Sequence, residues 1–146
     1  MKIVFGADHG GFVLKGQLVE LVRKAGHEVV DLGTTSAASS DYPDFAHQVA
    51  EKVVAGEFER GILVCGSGVG MSIAANRHKG VRAVVCSDVY TAKMSRAHND
   101  ANVLCLGERV VGLGLAEEIV TTWLGQAADP NERHQRRRAK IELGNG

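Results

Sequence analysis

The amino-acid sequence predicts an α/β fold, a Rossmann-like doubly wound sheet of five parallel strands flanked by helices, with a C-terminal basic helix. Three observations support this prediction. Short apolar segments alternate with segments of helical periodicity along the chain. The apolar segments lack a clean apolar–polar alternation, which is typical of strands buried on both faces. Each is followed by a helical segment, and this order of elements favours a parallel sheet.

The predicted strands are short runs rich in valine, isoleucine and leucine, bounded by glycine or polar residues. Their length and their neighbours indicate buried strands rather than helices. In chain order they comprise residues 2–7, 27–32, 61–65, 81–86 and 103–106. The third strand runs directly into a glycine-rich loop.

The predicted helices show apolar residues spaced three and four positions apart. Gly26 and Gly56 end the first two, and Pro43 suits the first turn of the second. Asp88 is the predicted N-cap of the fourth. In chain order the helices cover residues 13–25, 43–55, a small-residue segment from about 71, 88–98, 113–124 and 132–143. Five strand–helix units and a final helix therefore account for nearly all of the sequence.

The composition is that of one globular domain spanning residues 1–146, with 45% hydrophobic and 23% charged residues. The formal net charge is zero, so no overall field favours binding to nucleic acid or to a membrane. Basic residues are nevertheless concentrated in the tail, about residues 127–146, which indicates a local anionic partner.

The sequence also bears on the compartment and on metal binding. The first residues already form a strand pattern, so we expect no signal peptide, and no apolar stretch approaches the roughly 18 residues of a membrane span. The three cysteines include no Cys-x-x-Cys pair, so free thiols are expected. The histidines form no His-Glu-x-x-His pair, and no metal site is expected. We therefore predict a cytoplasmic protein.

The glycine-rich loop is a candidate anion site. Gly66, Ser67, Gly68, Val69 and Gly70 join the third strand to a helix. Ligands of such folds bind at the carboxyl ends of the strands, and backbone N–H groups at a helix start attract anions. The alternative is a tight strand-to-helix turn without a ligand. The loop lacks the Gly-Lys-Ser/Thr ending of a nucleotide-binding P-loop, and it fits the dinucleotide fingerprint poorly.

Cys65 lies at the mouth of this loop. Several N–H donors and a helix start beside a thiol favour its thiolate form near neutral pH. The alternative, a core cysteine, is the interpretation given to Cys86 and Cys105. A cysteine phosphatase would need an arginine six residues after its cysteine, and Met71 occupies that position.

Other candidate site residues flank the predicted strands or lie in the basic tail. They are Asp8, His9, His98, Asn99, Arg109, Arg133 and Arg137. The two tail arginines are four positions apart and would share one face of a helix, where two guanidinium groups suit a phosphate. The alternative for the tail is a solvated basic helix.

Seven sequence motifs, in the same order and over nearly the whole chain, resemble the ribose-5-phosphate isomerase B family, which includes the galactose-6-phosphate isomerase subunits. The motifs are Gly6–Phe12, Asp41–Pro43, Cys65–Gly70 with Ser72–Asn76, Arg82–Ala83, His98–Asn102, Gly107–Gly112 and Arg133–Gln135.

This resemblance implies an aldose–ketose isomerase, in the first place of ribose 5-phosphate and ribulose 5-phosphate in the pentose phosphate pathway. Cys65 would be the base that moves a proton through an enediolate. The amides of residues 66–70 would hold the negative oxygen, with Ser67 assisting the cysteine. Asp8 and His98 would open the sugar ring.

The resemblance also implies binding roles and an assembly. Tyr42 and Asn99 would position hydroxyl groups, and four residues would hold the phosphate: His9, Arg109, Arg133 and Arg137. No metal and no cofactor is implied. The site would lie between the subunits of a homodimer, or of a dimer of dimers, with the basic tail contacting the neighbouring subunit.

Two departures from the family pattern bear on the base. Ser67 stands where many members have threonine, which keeps the hydroxyl group. Met71 stands where one branch, which lacks the cysteine, carries a glutamate base. Because the cysteine is present here and that carboxylate is absent, the second departure favours Cys65 as the base.

Three alternatives remain open at this stage. In the first, the substrate is a four- or six-carbon sugar phosphate (erythrulose, galactose or allose phosphate), because the sequence does not give the depth of the pocket. A non-catalytic phosphate- or nucleotide-binding module would use the glycine loop but leave Cys65 unexplained. A redox sensor built on Cys65 would need a second thiol nearby.

Overall fold

A computed structural model describes residues 1–144 of the chain. The strands are β1 (Lys2–Ala7), β2 (Glu28–Asp31), β3 (Arg60–Cys65), β4 (Ala83–Val85) and β5 (Val103–Gly107). The helices are α1 (Phe12–Lys24), α2 (Tyr42–Val54), α3 (Val69–Ala75), α4 (Val89–Ala97), α5 (Leu113–Gly125) and α6 (Glu132–Ala139). A short 3₁₀ turn, His9–Gly11, precedes α1.

The five strands form one sheet in the order β2-β1-β3-β5-β4, and every paired neighbour is parallel. β3 lies at the centre, with Cys65 opposite Gly107 of β5 in the register. The predicted α/β fold with five parallel strands is therefore confirmed, as is the order of strands and helices.

Each face of the sheet carries its own apolar core, because neighbouring side chains on a strand point to opposite faces. On one face Phe5 and Leu104 pack with side chains of α1 and α5, including the fully buried Trp123. On the other face Val4 and Cys65 pack with α2 and α3. The strands are thus buried on both sides, which is why they lack a clean alternation.

Three predicted boundaries differ from the structure. α3 begins at Val69 rather than near residue 71, because Gly68 takes a left-handed conformation and starts the helix there. β4 pairs only with β5 at the edge of the sheet, so its ladder is limited to residues 83–85. α6 ends at Ala139, where the amide of Lys140 bonds back into the last turn, and residues 140–144 form turns.

The tail packs on its own chain at the end of α4. The Asp129 amide donates to the carbonyl of Ala97 at 2.8 Å, and the Arg138 guanidinium donates to the carbonyl of His98 at 3.1 Å. Its last two residues, 145 and 146, lie outside the described part. Among residues 1–144, no helix combines the length and apolar character that a membrane crossing requires.

Candidate active site

The loop after β3 is shaped by its glycines. Gly68 has φ +80°, a left-handed conformation that L side chains rarely adopt, and a Cβ there would lie 3.0 Å from the backbone of Leu106. This conformation aims the Gly68 N–H at the Sγ of Cys65, 3.1 Å away. The sulfur therefore accepts a backbone hydrogen bond at the start of α3.

A cavity of about 580 Å³ opens at this carboxyl edge of the sheet. It brings together many of the residues singled out in the sequence. The lining residues are Asp8, Tyr42, Cys65, Gly66, Ser67, Val69, Gly70, Ile73, Arg109 and Val110. Ile73 and Val110 were not predicted, although Ile73 lies one helical turn after Val69 and Val110 follows Arg109.

The three thiols have different surroundings. Cys65 is 5% exposed and lines the cavity, whereas Cys86 and Cys105 are 1% and 0% exposed and lie in the core, as predicted. Burial, followed by the nearby Asp88 carboxylate, raises the pKa of Cys86 to about 11. Burial also raises the pKa of Cys105 well above its ordinary value. All three are free thiols.

Asp8 enters the cavity from the end of β1. Its side chain is buried, and Oδ1 accepts the Gly10 N–H at 2.9 Å, which caps the 3₁₀ turn. That turn lies against the glycine loop, since a Cβ on Gly10 would come within 3.1 Å of the Gly66 nitrogen. The carboxylate is thereby held beside the same cavity as Cys65.

Tyr42, the first residue of α2, forms another wall of the cavity. Its ring lies directly over Gly70, because a Cβ on that glycine would meet the ring carbons at 2.6 Å. Gly70 is therefore needed for the close packing of the Tyr42 ring.

The loop after β5 is clamped to the glycine loop. The amides of Glu108 and Arg109 donate to the carbonyls of Cys65 and Gly66 at 2.9 and 3.1 Å. The Glu108 carboxylate also accepts the Leu14 N–H at 2.6 Å, near the start of α1. These bonds hold the Arg109 guanidinium over Gly66. Its Nη1 atom lies 3.1 Å from the position that a Cβ on Gly66 would take. Glu108 was not predicted as part of the site.

His9 lies beside this group on the 3₁₀ turn. Its ring accepts the Ser40 N–H at Nδ1, and its own amide donates to the Ser40 hydroxyl. His9 is half-buried and is joined to the loop that precedes α2.

The remaining predicted residues form a second group, directly after α4 and on α6. They are His98, Asn99, Arg133 and Arg137, and all four are exposed. The His98 ring stacks on the buried ring of His134, with centroids 4.4 Å apart and planes 9° from parallel. Burial first, and then the charge of His98, lower the pKa of His134, while the Asp129 carboxylate 3.7 Å away opposes the shift.

The two groups lie at opposite edges of the sheet. Cys65 ends β3 level with the last residue of β5, whereas His98 precedes the first residue of β5. A strand rises roughly 3.3 Å per residue, so the length of β5 separates them by about 16 Å. Asn99 accordingly lines a different cavity, which also contains Arg77, Arg82 and Ile141. The structure thus brings Asp8, Tyr42, Cys65, the glycine loop and Arg109 together, but not the four residues of the second group.

Within residues 1–144, no cluster of three or more His, Cys, Asp or Glu side chains is arranged to hold a metal ion. The groups that line the Cys65 cavity are instead a thiol, a carboxylate, backbone amides, a phenol and a guanidinium. Such a set suits an oxygen-rich, anionic molecule and proton transfer to and from it.

Comparison with known proteins gives consistent matches over nearly the whole chain. Residues 3–141 match the family described as Ribose/Galactose Isomerase. The chain is 56% identical to ribose-5-phosphate isomerase B of Escherichia coli, covering 93% of this chain and 91% of that protein. It is 47% identical to D-erythrulose-4-phosphate isomerase 2 of Mycolicibacterium smegmatis, covering 89% and 88%. The solved structure of ribose-5-phosphate isomerase B from Clostridium thermocellum is 55% identical, with a TM-score of 0.94 over 97% and 95% of the two chains.

Proposed function

The chain belongs to the ribose/galactose isomerase family, and on that premise we propose that it interconverts ribose 5-phosphate and ribulose 5-phosphate. It is a sugar-phosphate isomerase. The observation that carries the proposed chemistry is the position of Cys65, whose sulfur lines the cavity and accepts the Gly68 N–H at 3.1 Å.

We propose that Cys65 acts as the base. The thiolate removes the proton from C2 of the open-chain aldose, and the C–H electron pair forms the C1–C2 double bond of an enediolate. The carbonyl π electrons move onto O1, which becomes an oxyanion. The hydroxyl proton on O2 is transferred to O1, and the thiol returns its proton to C1 as the C2 oxygen becomes the ketone. No electron or atom is lost, so the step needs no external redox partner.

The glycine loop is the proposed partner of that oxyanion. The amides of residues 66–70 lie in the loop before α3 and in its first turn, where N–H donors and the helix dipole favour negative charge. Removing one such donor typically costs about 3 kcal/mol of transition-state stabilisation. Ser67, whose hydroxyl accepts the Val69 N–H at 3.3 Å, is proposed to assist Cys65.

The substrate ring must open before C2 can react, and we propose Asp8 and His98 as the acid and base of that step. Tyr42 and Asn99 would hold hydroxyl groups. Arginines suit the phosphate because the guanidinium fork matches its oxygens. The proposed phosphate ligands are His9, Arg109, Arg133 and Arg137.

Since His98 lies about one strand length from Cys65 in the same chain, we propose that a second copy supplies it. A homodimer would place the His98 edge of one subunit against the Cys65 edge of the other. Its support is the exposure of the second group and of three aliphatic side chains around the Cys65 cavity. These are Val69, Ile73 and Val110, at 50%, 54% and 59% exposure. Pairing of two dimers is a further step of the same proposal.

The substrate is tested with purified protein and phosphorylated sugars of four, five and six carbons. We expect the highest kcat/KM with ribose 5-phosphate. Because the family also includes the relative acting on erythrulose 4-phosphate, the four-carbon substrate is the strongest competitor. Faster turnover of a four- or six-carbon phosphate would reassign the substrate, and absence of turnover with every sugar would overturn the proposal.

The shared site is tested by complementation between two inactive variants. Cys65→Ala and His98→Ala, co-expressed with different affinity tags and purified through both tags, form mixed dimers with one intact site of two. Random pairing gives about a quarter of wild-type activity in the unseparated mixture, and about half in the doubly purified dimer. Activity no greater than the sum of the two variants would exclude a site shared between subunits.

We also propose that the protein works in the cytoplasm. The support is that its three cysteines are not paired in a disulfide, since free thiols are typical of reducing compartments. Fractionation of the native cell with an antibody tests this, and recovery in a secreted fraction would contradict it.

A further inference from the structure

His9 and Ser40 are joined by two reciprocal hydrogen bonds across 31 positions of sequence. The His9 amide donates to the Ser40 hydroxyl at 3.2 Å. The Ser40 amide donates to Nδ1 of the His9 ring at 3.1 Å. The second bond constrains the chemistry of the imidazole, because a backbone N–H can only donate.

An acceptor nitrogen on a histidine ring carries no proton. Nδ1 of His9 must therefore be the unprotonated nitrogen, and the ring proton must be on Nε2. The imidazolium form would place a second N–H at Nδ1, directly against the Ser40 N–H, and would break this bond. The geometry selects one neutral tautomer of His9 out of three protonation forms.

Ser40 is held in place from both sides. At the start of its loop, the buried Lys15 ammonium donates to Asp31 at 2.8 Å and to the carbonyl of Thr34 at 2.7 Å. Two residues after Ser40, Tyr42 begins α2 with its ring against Gly70. The Ser40 N–H therefore comes from a segment anchored to α1 at one end and to the glycine loop at the other.

We propose that Ser40 is a positioning residue that fixes His9 as a neutral imidazole, with Nε2–H as the donor offered to the substrate phosphate. This inference rests on the proposed function, which makes His9 a phosphate ligand. It adds that the positive charge at the phosphate comes from the arginines, while His9 contributes a directed neutral donor.

The tautomer is measured directly by NMR on the wild-type protein labelled with ¹⁵N in its imidazole rings. At pH 7.5, two-bond ¹H–¹⁵N correlations distinguish the two neutral tautomers, and His9→Gln identifies the His9 signals. We expect a protonated Nε2 and an unprotonated Nδ1. A protonated Nδ1, or an averaged mixture of tautomers, would overturn the inference. This measurement does not depend on which sugar the enzyme uses.

The same spectra are then recorded with inorganic phosphate as the probe. Binding should shift the Nε2 signal and its attached proton while Nδ1 stays unprotonated. Protonation of Nδ1 on binding, or no change at Nε2 at phosphate concentrations that inhibit turnover, would contradict the role given to His9.

Two variants separate the Ser40 amide from its hydroxyl. Ser40→Ala keeps the N–H, so the tautomer should persist and KM for ribose 5-phosphate should stay within about twofold. Ser40→Pro removes the N–H, so the tautomer preference should be lost and KM should rise about tenfold, with a smaller change in kcat. An unchanged tautomer in a folded Ser40→Pro would show that the bond does not select it. If instead the wild type turned over no sugar phosphate while the tautomer was as expected, the proposed function alone would fail.

Discussion

The two edges of the sheet carry chemically different halves of the proposed site. At the carboxyl edge, the groups are backbone amides, a thiol and a carboxylate, fixed by the strands and by glycines that admit no side chain. At the amino edge, the groups are the exposed His98, Asn99, Arg133 and Arg137, held by packing of the tail on α4. In the proposed mechanism, the groups for proton transfer are thus fixed by the sheet, whereas one of the two ring-opening residues and two of the four phosphate ligands lie against or within the tail.

The largest effect is expected from removing the thiol at the carboxyl edge. Cys65→Ala should lower kcat by about 10³-fold, because a positioned base contributes roughly 10² to 10⁴. Steady-state kinetics of ribose 5-phosphate isomerisation measures this. The control is Cys86→Ala, a buried thiol outside the cavity, whose kcat should stay within about threefold. Equal kcat for Cys65→Ala and wild type would remove Cys65 from its role.

A substrate that cannot close a ring distinguishes the two edges. Erythrose 4-phosphate has its O4 esterified and cannot form a furanose, so it needs no ring opening. His98→Asn should therefore lower kcat/KM for ribose 5-phosphate by about 100-fold and that for erythrose 4-phosphate much less. Each substrate serves as the control for the other. Equal losses on both would assign His98 to binding or to proton transfer at carbon instead.

Displacing the Tyr42 ring, which lies at the carboxyl edge, should change the kinetics less than the two substitutions above. A Cβ on Gly70 would overlap that ring at 2.6 Å, so Gly70→Ala must displace it. KM for ribose 5-phosphate should rise about tenfold, in line with the loss of a hydrogen bond to the substrate. Gly114→Ala, in open surroundings on α5, is the matched control and should leave KM unchanged. A normal KM in Gly70→Ala would mean that Tyr42 does not contact the substrate.

The smallest effect is expected on the pH dependence of folding stability, through His134 at the amino edge. The pKa of His134 is lowered in the fold, so the unfolded chain, with a pKa of about 6.5, binds the proton more readily. The contribution of His134 to stability is therefore present above pH 6.5 and lost as the pH falls below it. His134→Phe keeps an aromatic ring for stacking but cannot titrate. Its urea midpoint should fall less than that of wild type between pH 7.5 and 5.5, and an equal fall would contradict this.

Much of the carboxyl edge was predictable, because strand ends, glycines and a cysteine are local signals. The contributions of Glu108 and Ser40 were not, since Glu108 reaches Leu14 across 94 positions and Ser40 reaches His9 across 31. Ile73 and Val110 carry no chemical signal and become part of the site only through the cavity. The four residues of the amino edge were singled out from their positions beside a predicted strand and in the basic tail, and the resemblance gave them their roles. Their separation from Cys65 follows from parallel topology, because a residue preceding a strand lies at the opposite edge from one that follows it.

The strand order has a consequence for substrate range. The chain moves outward from β1 to β2 and then returns to the other side of β1 as β3, so α1 and α2 cover opposite faces. Loops leaving β1 and β3 therefore diverge and open a crevice at this topological switch point. The crevice is a product of connectivity and needs no particular side chain. Exposed residues on its walls, such as Tyr42 at the start of α2 and Val110 after β5, can be exchanged to fit longer or shorter molecules while both cores stay intact.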